Sequence, residues 1–480
     1  MAKKVSPLDV YPLLPDDCET LFGEPKMKIA AQLAGRKIKA KELSEIYETL
    51  PPEYASKFEK LEELLKPAIA EIEIGVGPKK IVIGGDDVMF RHMLSFYNKT
   101  PIAVDVWDTM TAAELSARLD RIQSFQKFYV GSYLYLNAVA VRSTSGDPKK
   151  FGKFVSSVLK KCDLPLILCT KNPKIMREGL TAAAGKNPLM YACDVSNREE
   201  MTKLALEFDV PITVSSKGDL DELKSLAATL LNDGVDHIVL DPGMPLSGLK
   251  IRETFQNFTR VRKAGIDGDS ELAFPLMALP IAARKNPPSS QNLNLPPDVI
   301  SDYSETIAAS SLIVRYADIM IIHGLEAHEL LPLVHAADMI YTDPRTPSSV
   351  EPKLYEIGTP DASSPVLFTT NFALTYYTVE SDLMSAGFNG YLFAVNTGGL
   401  GVEAAVAGGQ LTADVIKKEF ERVSFDPITQ TEYRTLVLPG LAARLQSDIE
   451  KSMGISALVG PMDSGRLGKW LEENWPPKKK

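Results

Sequence analysis

Long apolar runs are missing from this chain. No stretch approaches the ~20 residues that a membrane span needs, and none is read as one. The opening residues MAKKVSPLDVYPLL hold two lysines but no continuous apolar core and no small-residue cleavage site, so they do not read as a secretion signal. Long basic runs are missing too. With a net charge of −9, this argues against a nucleic-acid surface, and the final KKK after Trp475-Pro476-Pro477 reads as a solvated tail. Cysteine is scarce: Cys18, Cys162, Cys169 and Cys193 lie far apart with no CxxC pair. That usage fits a reducing cytoplasm with thiols buried as small hydrophobes, and no single segment offers a four-cysteine metal site. GxSxG, HExxH and P-loop motifs are all absent.

What is present is ordinary globular material, 45% hydrophobic and 24% charged, in a chain of 480 residues that is long enough for two or three domains. Residues 1–50 form a small polar segment with one amphipathic helix, Lys26–Arg36, and 51–78 read as a linker containing the charged helical stretch Glu53–Lys66. From about residue 79, short apolar runs alternate with helical segments. They are Ile102–Val106, Asn137–Val141, Pro165–Cys169, Pro188–Ala192, Pro211–Val214, His237–Leu240, Pro275–Leu279 and Ile319–Ile322. Eight such strands within roughly 240 residues match a (β/α)8 TIM barrel, expected over 79–335. Lys285–Pro297 is a breaker-rich loop ahead of the last barrel helix. The passage Tyr341–Pro365 carries five prolines and reads as a loop or linker, within an expected linker at 336–365. Beyond it, Val366–Thr369, Tyr391–Val395, Leu436–Pro439 and Ala457–Gly460 alternate with helices, as in a Rossmann-like open α/β domain over 366–480.

Working residues of a barrel sit at the carboxyl ends of its strands. Those ends carry Asp105 and Asp108, Arg142-Ser143-Thr144-Ser145, Thr170-Lys171-Asn172, Cys193-Asp194, Ser215-Ser216 and Asp241-Pro242-Gly243. The set is polar and able to hydrogen-bond an amide-rich heterocycle such as a pterin, while helix capping accounts for Asp147, Asn172 and Asp219. His323, His328 and His335 lie close in sequence, but their spacing does not put them on one helical face, so no metal site is read from them.

In the C-terminal part, Thr369, Thr370 and Asn371 end the first strand, followed by Thr375 and Thr378. The second strand ends in a Gly-rich turn, Thr397-Gly398-Gly399-Leu400-Gly401, that opens directly onto a helix at Val402. Gly440-Leu441-Ala442-Ala443 follows the third strand and Gly460–Gly465 the fourth. Four strand ends made of small or hydroxyl residues form a flat floor where open α/β sheets bind ligands. The turn does not fit GxGxxG, and no acid ends the next strand, which argues against a dinucleotide. A corrinoid is the other large cofactor carried on such edges. There is no DxHxxG segment and no histidine after His335, so a corrinoid here would be base-off, with no protein imidazole on cobalt.

At these residues the chain closely resembles the large (gamma) subunit of the corrinoid iron–sulfur protein of acetyl-CoA synthase/decarbonylase complexes. The resemblance rests on VRSTSGDPKKF, SSKGDLDELKSLAATLL, HIVLDPG, YTDPRTPSSVEPKLYEIGTPD, TTNFALTYYTVESDLMSAGFN, GLGVEAAVAGGQLTA and LVLPGLAARL, and covers about residues 75–470. It implies a methyl carrier loaded from a methyl-tetrahydropterin through a methyltransferase and unloaded by acetyl-CoA synthase or another acceptor. It also implies a heterodimer with a small corrinoid-protein subunit. The corrinoid-binding residues it implies are Thr369, Thr370, Thr375, Gly399, Leu400, Gly401, Val402, Ala442, Gly460 and Gly465.

The N-terminus departs from the family, whose [4Fe-4S] segment has the form CxxCGEPTC. Here it reads Cys18-Glu19-Thr20-Leu21-Phe22-Gly23-Glu24-Pro25-Lys26-Met27, with Phe22 and Met27 where thiolates would stand. A cubane needs four ligands, so residues 1–50 read as a degenerate iron–sulfur-type segment without a cluster, and cobalt would depend on an external reductive activator. Two other readings stay open: a pterin-binding methyltransferase acting through its own barrel, and a structural subunit without cofactor.

Overall fold

The computed structural model describes residues 5–90, 98–130, 132–244, 250–285, 295–340, 348–423 and 430–477. Most of the loop read at Lys285–Pro297, the start of the Pro-rich passage from Tyr341 and the final KKK lie outside them. The chain divides into two compact units, Met1–Gln126 with Tyr135–Thr342, and Lys127–Leu134 with Asp343–Lys480. Among the described residues no helix is long and apolar enough to cross a membrane.

The first unit begins with short helices, including Cys18–Phe22, Lys26–Ala34 and Ser44–Glu48, around a core of Val10, Leu14, Ile29, Leu33, Leu43, Tyr47 and Leu61. The helix expected to reach Arg36 stops at Ala34, where Gly35 caps it. Leu61 belongs to helix Glu53–Leu65, so part of the expected linker packs into this core. Strands β1 (Glu71–Ile74) and β2 (Ile81–Gly84) then pair as an antiparallel hairpin.

The barrel opens with β3 (Ile102–Trp107), is interrupted by a hairpin of β4 (Gln126–Tyr129) and β5 (Ser132–Tyr135), and resumes at β6 (Ala138–Arg142). It continues through β7 (Leu166–Cys169), β8 (Leu189–Cys193), β9 (Ile212–Ser215), β10 (Ile238–Asp241), β11 (Met277–Ala278) and β12 (Ile319–Ile322). The eight barrel strands are parallel in the order β10-β9-β8-β7-β6-β3-β12-β11. A parallel bridge between Leu240 and Leu276, with the Leu240 N–H donating to Pro275 O at 2.8 Å, closes the ring. This is the TIM barrel expected from the pattern, and all eight expected strands are in it. The helix after β11, Pro297–Ile313, is not the last, since Ala327–His335 follows β12. Ile72, Ile74 and Ile83 of the hairpin pack with Ala103, Ala138, Ala140, Ile167, Leu189, Val239 and Ile319 in one apolar cluster. The barrel interior is therefore a core rather than a pore.

The second unit is an α/β sheet of five strands: β13 (Leu354–Ile357), β14 (Val366–Thr370), β15 (Gly390–Val395), β16 (Thr435–Leu438) and β17 (Ser456–Val459). Their order is β13-β15-β14-β16-β17, with β13 antiparallel and the others parallel. The four expected strands are present. β13 corrects the reading of Tyr341–Pro365 as loop throughout. Four residues between Pro352 and Gly358 suffice for an edge strand, which needs pairing on one side only.

Candidate functional site

In the second unit the carboxyl ends of β14, β16 and β17 surround a cleft of ≈ 260 Å³. Thr369 lies at its floor, Thr375 and Thr378 line one wall from helix Ala373–Ser385, and Val402, Leu441, Gly460, Met462 and Ser464 line the rest. The rim is apolar and open: Leu374, Leu441 and Met462 are all exposed. Successive strand residues face opposite sides of a sheet, and the hydroxyls of both Thr369 and Thr370 are buried without a hydrogen-bond partner. A buried hydroxyl left unpaired costs roughly 1–3 kcal/mol, so a polar group arriving from a ligand would find Thr369 unsatisfied. Glycine lets the strand ends come together. A Cβ on Gly440 would sit 2.7 Å from Met462 N, and one on Gly460 would sit 3.0 Å from Leu438 O.

One amide holds the Gly-rich turn. Asn371 Oδ1 accepts from Thr397 N at 2.9 Å, Thr397 Oγ1 at 3.2 Å and Gly399 N at 3.1 Å. Gly398 and Gly399 have φ of 67° and 76°, left-handed values that favour glycine. Asn371 thus shapes the turn by gathering three donors onto one oxygen.

Of the residues expected at this site, Thr369, Thr375, Val402 and Gly460 line the cleft. Thr370 is buried with its own unpaired hydroxyl and is not among the residues lining the cleft. Gly399, Leu400 and Gly401 form the turn ahead of Val402 and are not among the residues lining the cleft. Ala442 is fully buried in the core behind, where Leu441 takes the lining place, and Gly465 stands back from Met462 and Ser464. Leu374 went unread, and Leu441 and Met462 were named only as members of the strand-end segments 440–443 and 460–465, because apolar residues carry no site signal of their own in a sequence.

The carboxyl ends of the barrel strands hold a second polar constellation. Asp105 is fully buried and accepts from Arg118 at 2.9 Å, Arg142 at 2.5 Å and His323 Nδ1 at 2.8 Å. Burial pushes its pKa up, but the His323 hydrogen bond and the charges of His323, Arg118 and Arg142 outweigh that and hold it below the usual carboxylate range. Asp108 accepts from the backbone and side chains of Thr144 and Ser145, which fixes the loop after β6. Asp241 accepts from Tyr191 Oη at 2.9 Å, Ser215 Oγ at 2.9 Å and Gly243 N at 3.0 Å, and burial raises its pKa. The buried Ser216 hydroxyl has no partner. Asp147, Asn172 and Asp219 cap the following helices, as the capping reading expected.

The cysteines offer no reactive thiolate. Burial pushes Cys169 and Cys193 up to about 12 and raises Cys18 and Cys162 as well. Cys18 donates its thiol to Pro15 O at 3.0 Å inside the N-terminal core.

Residues 71–471 match the family described as CO dehydrogenase/acetyl-CoA synthase delta subunit. The chain is 48% identical to the acetyl-CoA decarbonylase/synthase complex subunit gamma 1 of Methanosarcina mazei over 99% of both chains. It is 49% identical to subunit gamma 2 of Methanosarcina thermophila, over 98% of this chain and 99% of that one. With subunit gamma of Archaeoglobus fulgidus the identity is 45%, over 99% of this chain and all of the other. The chain belongs to this family of acetyl-CoA decarbonylase/synthase subunits. The resemblance read from the sequence is borne out, and the three relatives above all carry the name gamma. Among solved structures it is similar to dihydropteroate synthases from Thermus thermophilus and Vibrio fischeri. The first is 15% identical over 50% of this chain and 94% of that one, with a TM-score of 0.38. The second is 12% identical over 57% and 100%, with a TM-score of 0.41.

Proposed function

We propose that this chain is the corrinoid-carrying, methyl-accepting subunit of an acetyl-CoA decarbonylase/synthase type complex, working in the cytoplasm. The observation that carries the reading is the cleft at the carboxyl edge of the second sheet, with a buried, unpaired Thr369 hydroxyl on an otherwise apolar floor. A corrinoid fits these residues. Its peripheral amides would satisfy Thr369 and reach Thr375, while Leu374, Leu441 and Met462 would keep water from its edge. Enclosing sites run to about 300–1,000 Å³ even for drug-sized ligands, so ≈ 260 Å³ seats only part of such a macrocycle. The remainder calls for a second protein surface, the role we assign to a small corrinoid-protein subunit. The second unit contains no histidine, so it would offer a bound corrinoid no imidazole ligand. Thr369, Thr375 and Val402 would hold the group, and its cobalt would supply the methyl-accepting chemistry, with methyl-tetrahydropterin (through a methyltransferase) as donor and acetyl-CoA synthase or another protein as acceptor.

A [4Fe-4S] cluster does not fit the N-terminal residues. Cys18 is the one thiol there, and it is packed among Val10, Leu14, Ile29 and Leu33. Reductive activation is therefore assigned to an external protein. Stoichiometric iron and sulfide in protein purified without oxygen would overturn this.

A second reading, a methyltransferase acting through its own barrel, is favoured by the buried Asp241–Tyr191–Ser215 group and the unpaired Ser216. An anoxic absorption spectrum after adding cobalamin and the small subunit separates the readings. A base-off spectrum without methyl-pterin turnover supports the carrier. Turnover by the isolated chain supports the barrel enzyme, and no corrinoid uptake leaves a structural subunit.

A further inference from the structure

At the amino end of the barrel, three residues after β2 are gripped from two sides. From the N-terminal helices, Arg36 donates to Gly85 O at 2.6 Å and pairs with Asp87 at 2.5 Å. From the barrel, Arg262 of helix Lys250–Ile266 pairs with Asp86 at 2.5 Å. The same guanidinium pairs with Asp318, the residue ahead of β12, which also accepts from Leu276 N at 2.6 Å. We propose that Gly85–Asp86–Asp87 is a proton-sensitive latch, independent of any cofactor. One proton shared by Asp86 and Asp318 keeps the β1–β2 hairpin seated in the barrel end, and Arg36 passes that hold on to the N-terminal helices.

Charge in a closed place makes the latch. The Arg262 side chain is 1% exposed, and those of Asp86 and Asp318 are 11% exposed. Among the described residues no other cation pairs with either carboxylate. Arg262 also donates to Tyr316 O at 3.3 Å and lies over the Tyr316 ring, which brings no charge, and the neighbouring Asp87 is matched by Arg36. With both carboxyls ionised, two negative charges would face one positive charge, and a buried, unbalanced carboxylate is costly. A retained proton removes that cost. Burial accordingly raises both carboxyls against the attraction of Arg262, Asp86 to about 7. Open space lies at the same joint. A cleft of ≈ 590 Å³, lined by Arg36, Lys39, Glu62, Lys66 and Glu71, interrupts the contact between the N-terminal helices and the hairpin. The ion pairs of Arg36 with Asp87 and of Lys39 with Glu71, the latter at 2.6 Å, therefore carry a large share of the attachment.

Between about 3.9, the unfolded carboxylate value, and about 7, the closed latch keeps a proton that the opened chain releases. The latch therefore weakens as pH rises through this interval and stays weak above it. Hydrogen exchange of the full-length chain, read by mass spectrometry and corrected for the intrinsic rate, tests this. From about pH 5.5 to about pH 8 the opening constant of residues 71–87 should rise about tenfold or more, the effect of one unit of pKa difference. That of helix Lys26–Ala34 should rise with it. In Asp86→Asn and in Asp318→Asn a single carboxylate faces Arg262, and both constants should change less than about threefold over the same range. Arg36→Gln should keep the pH dependence of the hairpin and abolish that of the helix. No rise in the parent, an equal rise in the parent and both Asn variants, or a hairpin that opens with pH while the helix does not, overturns the proposal.

Discussion

At the scale of single residues, the unpaired hydroxyl of Thr369 separates binding from stability. Thr369→Val removes a buried group that has no partner in the protein, so thermal stability should hold or rise by up to about 1 kcal/mol. Corrinoid uptake, followed by absorbance, should weaken several-fold. A large loss of stability would show that the hydroxyl is satisfied within the fold. Asp194 behaves in the opposite way. Burial raises its pKa, but Lys171 and Ser196 more than offset this and hold it at about 2. A depressed carboxylate stabilises the fold above its unfolded pKa of about 3.9, and that contribution disappears as pH falls through about 2. Asp194→Asn should therefore cost roughly 2 kcal/mol at pH 7, and the difference from the parent in urea unfolding should vanish between about pH 4 and pH 2. A difference independent of pH would mean that Asp194 acts only through its shape. Threonines at strand ends were legible in the sequence because hydroxyls there carry a chemical signal. Leu441 and Met462 were not, because an apolar rim residue and an apolar core residue look alike until the chain is folded.

At the scale of elements, proline explains why the barrel strands were easy to find. Proline has no N–H to give, but its carbonyl still joins the ladder. Val139 N donates to Pro165 O at 2.9 Å, Met190 N to Pro211 O at 2.9 Å and Met320 N to Pro101 O at 3.1 Å. Each proline marks the start of a strand while leaving its neighbour's bond intact, so sequence and structure agree on the position of these strands to within a residue or two, as well as on their number. β13 escaped notice because its prolines lie just outside a strand of four residues and read as loop. In the second sheet the close approach belongs to Gly440. Gly440→Ala drives a Cβ into the backbone at Met462, and should cost on the order of 1–3 kcal/mol while displacing the loop that forms one cleft wall. Thermal unfolding and corrinoid uptake should fall together. Unchanged uptake would show that this wall is not part of the binding surface.

At the scale of the whole molecule, each unit has its own core, and the N-terminal helices have a further cluster of buried side chains of their own. Leu61→Ala should loosen that cluster by about 2–5 kcal/mol. Limited proteolysis should then cut within the first 65 residues at a lower temperature, while corrinoid absorbance stays. Loss of corrinoid together with the cleavage would tie the N-terminal core to the cleft. The eight-fold βα alternation and the four strands of the second sheet were legible because period and spacing are local properties. The membership of residues 127–134 was not, because no local pattern tells a hairpin which unit it will join.

That hairpin has a consequence for how the protein is made. Phe128 meets Tyr377 edge-on at 5.3 Å, and Val130 packs into the core that includes Tyr376 and Leu383. A ribosome makes the hairpin long before it makes its partners, and at about 5–20 residues per second the wait lasts on the order of tens of seconds. Throughout that interval Phe128 lacks its Tyr377 contact and Val130 lacks the core it packs against. The hairpin can therefore reach its final packing only after the second sheet has emerged, so its docking is a late event in synthesis.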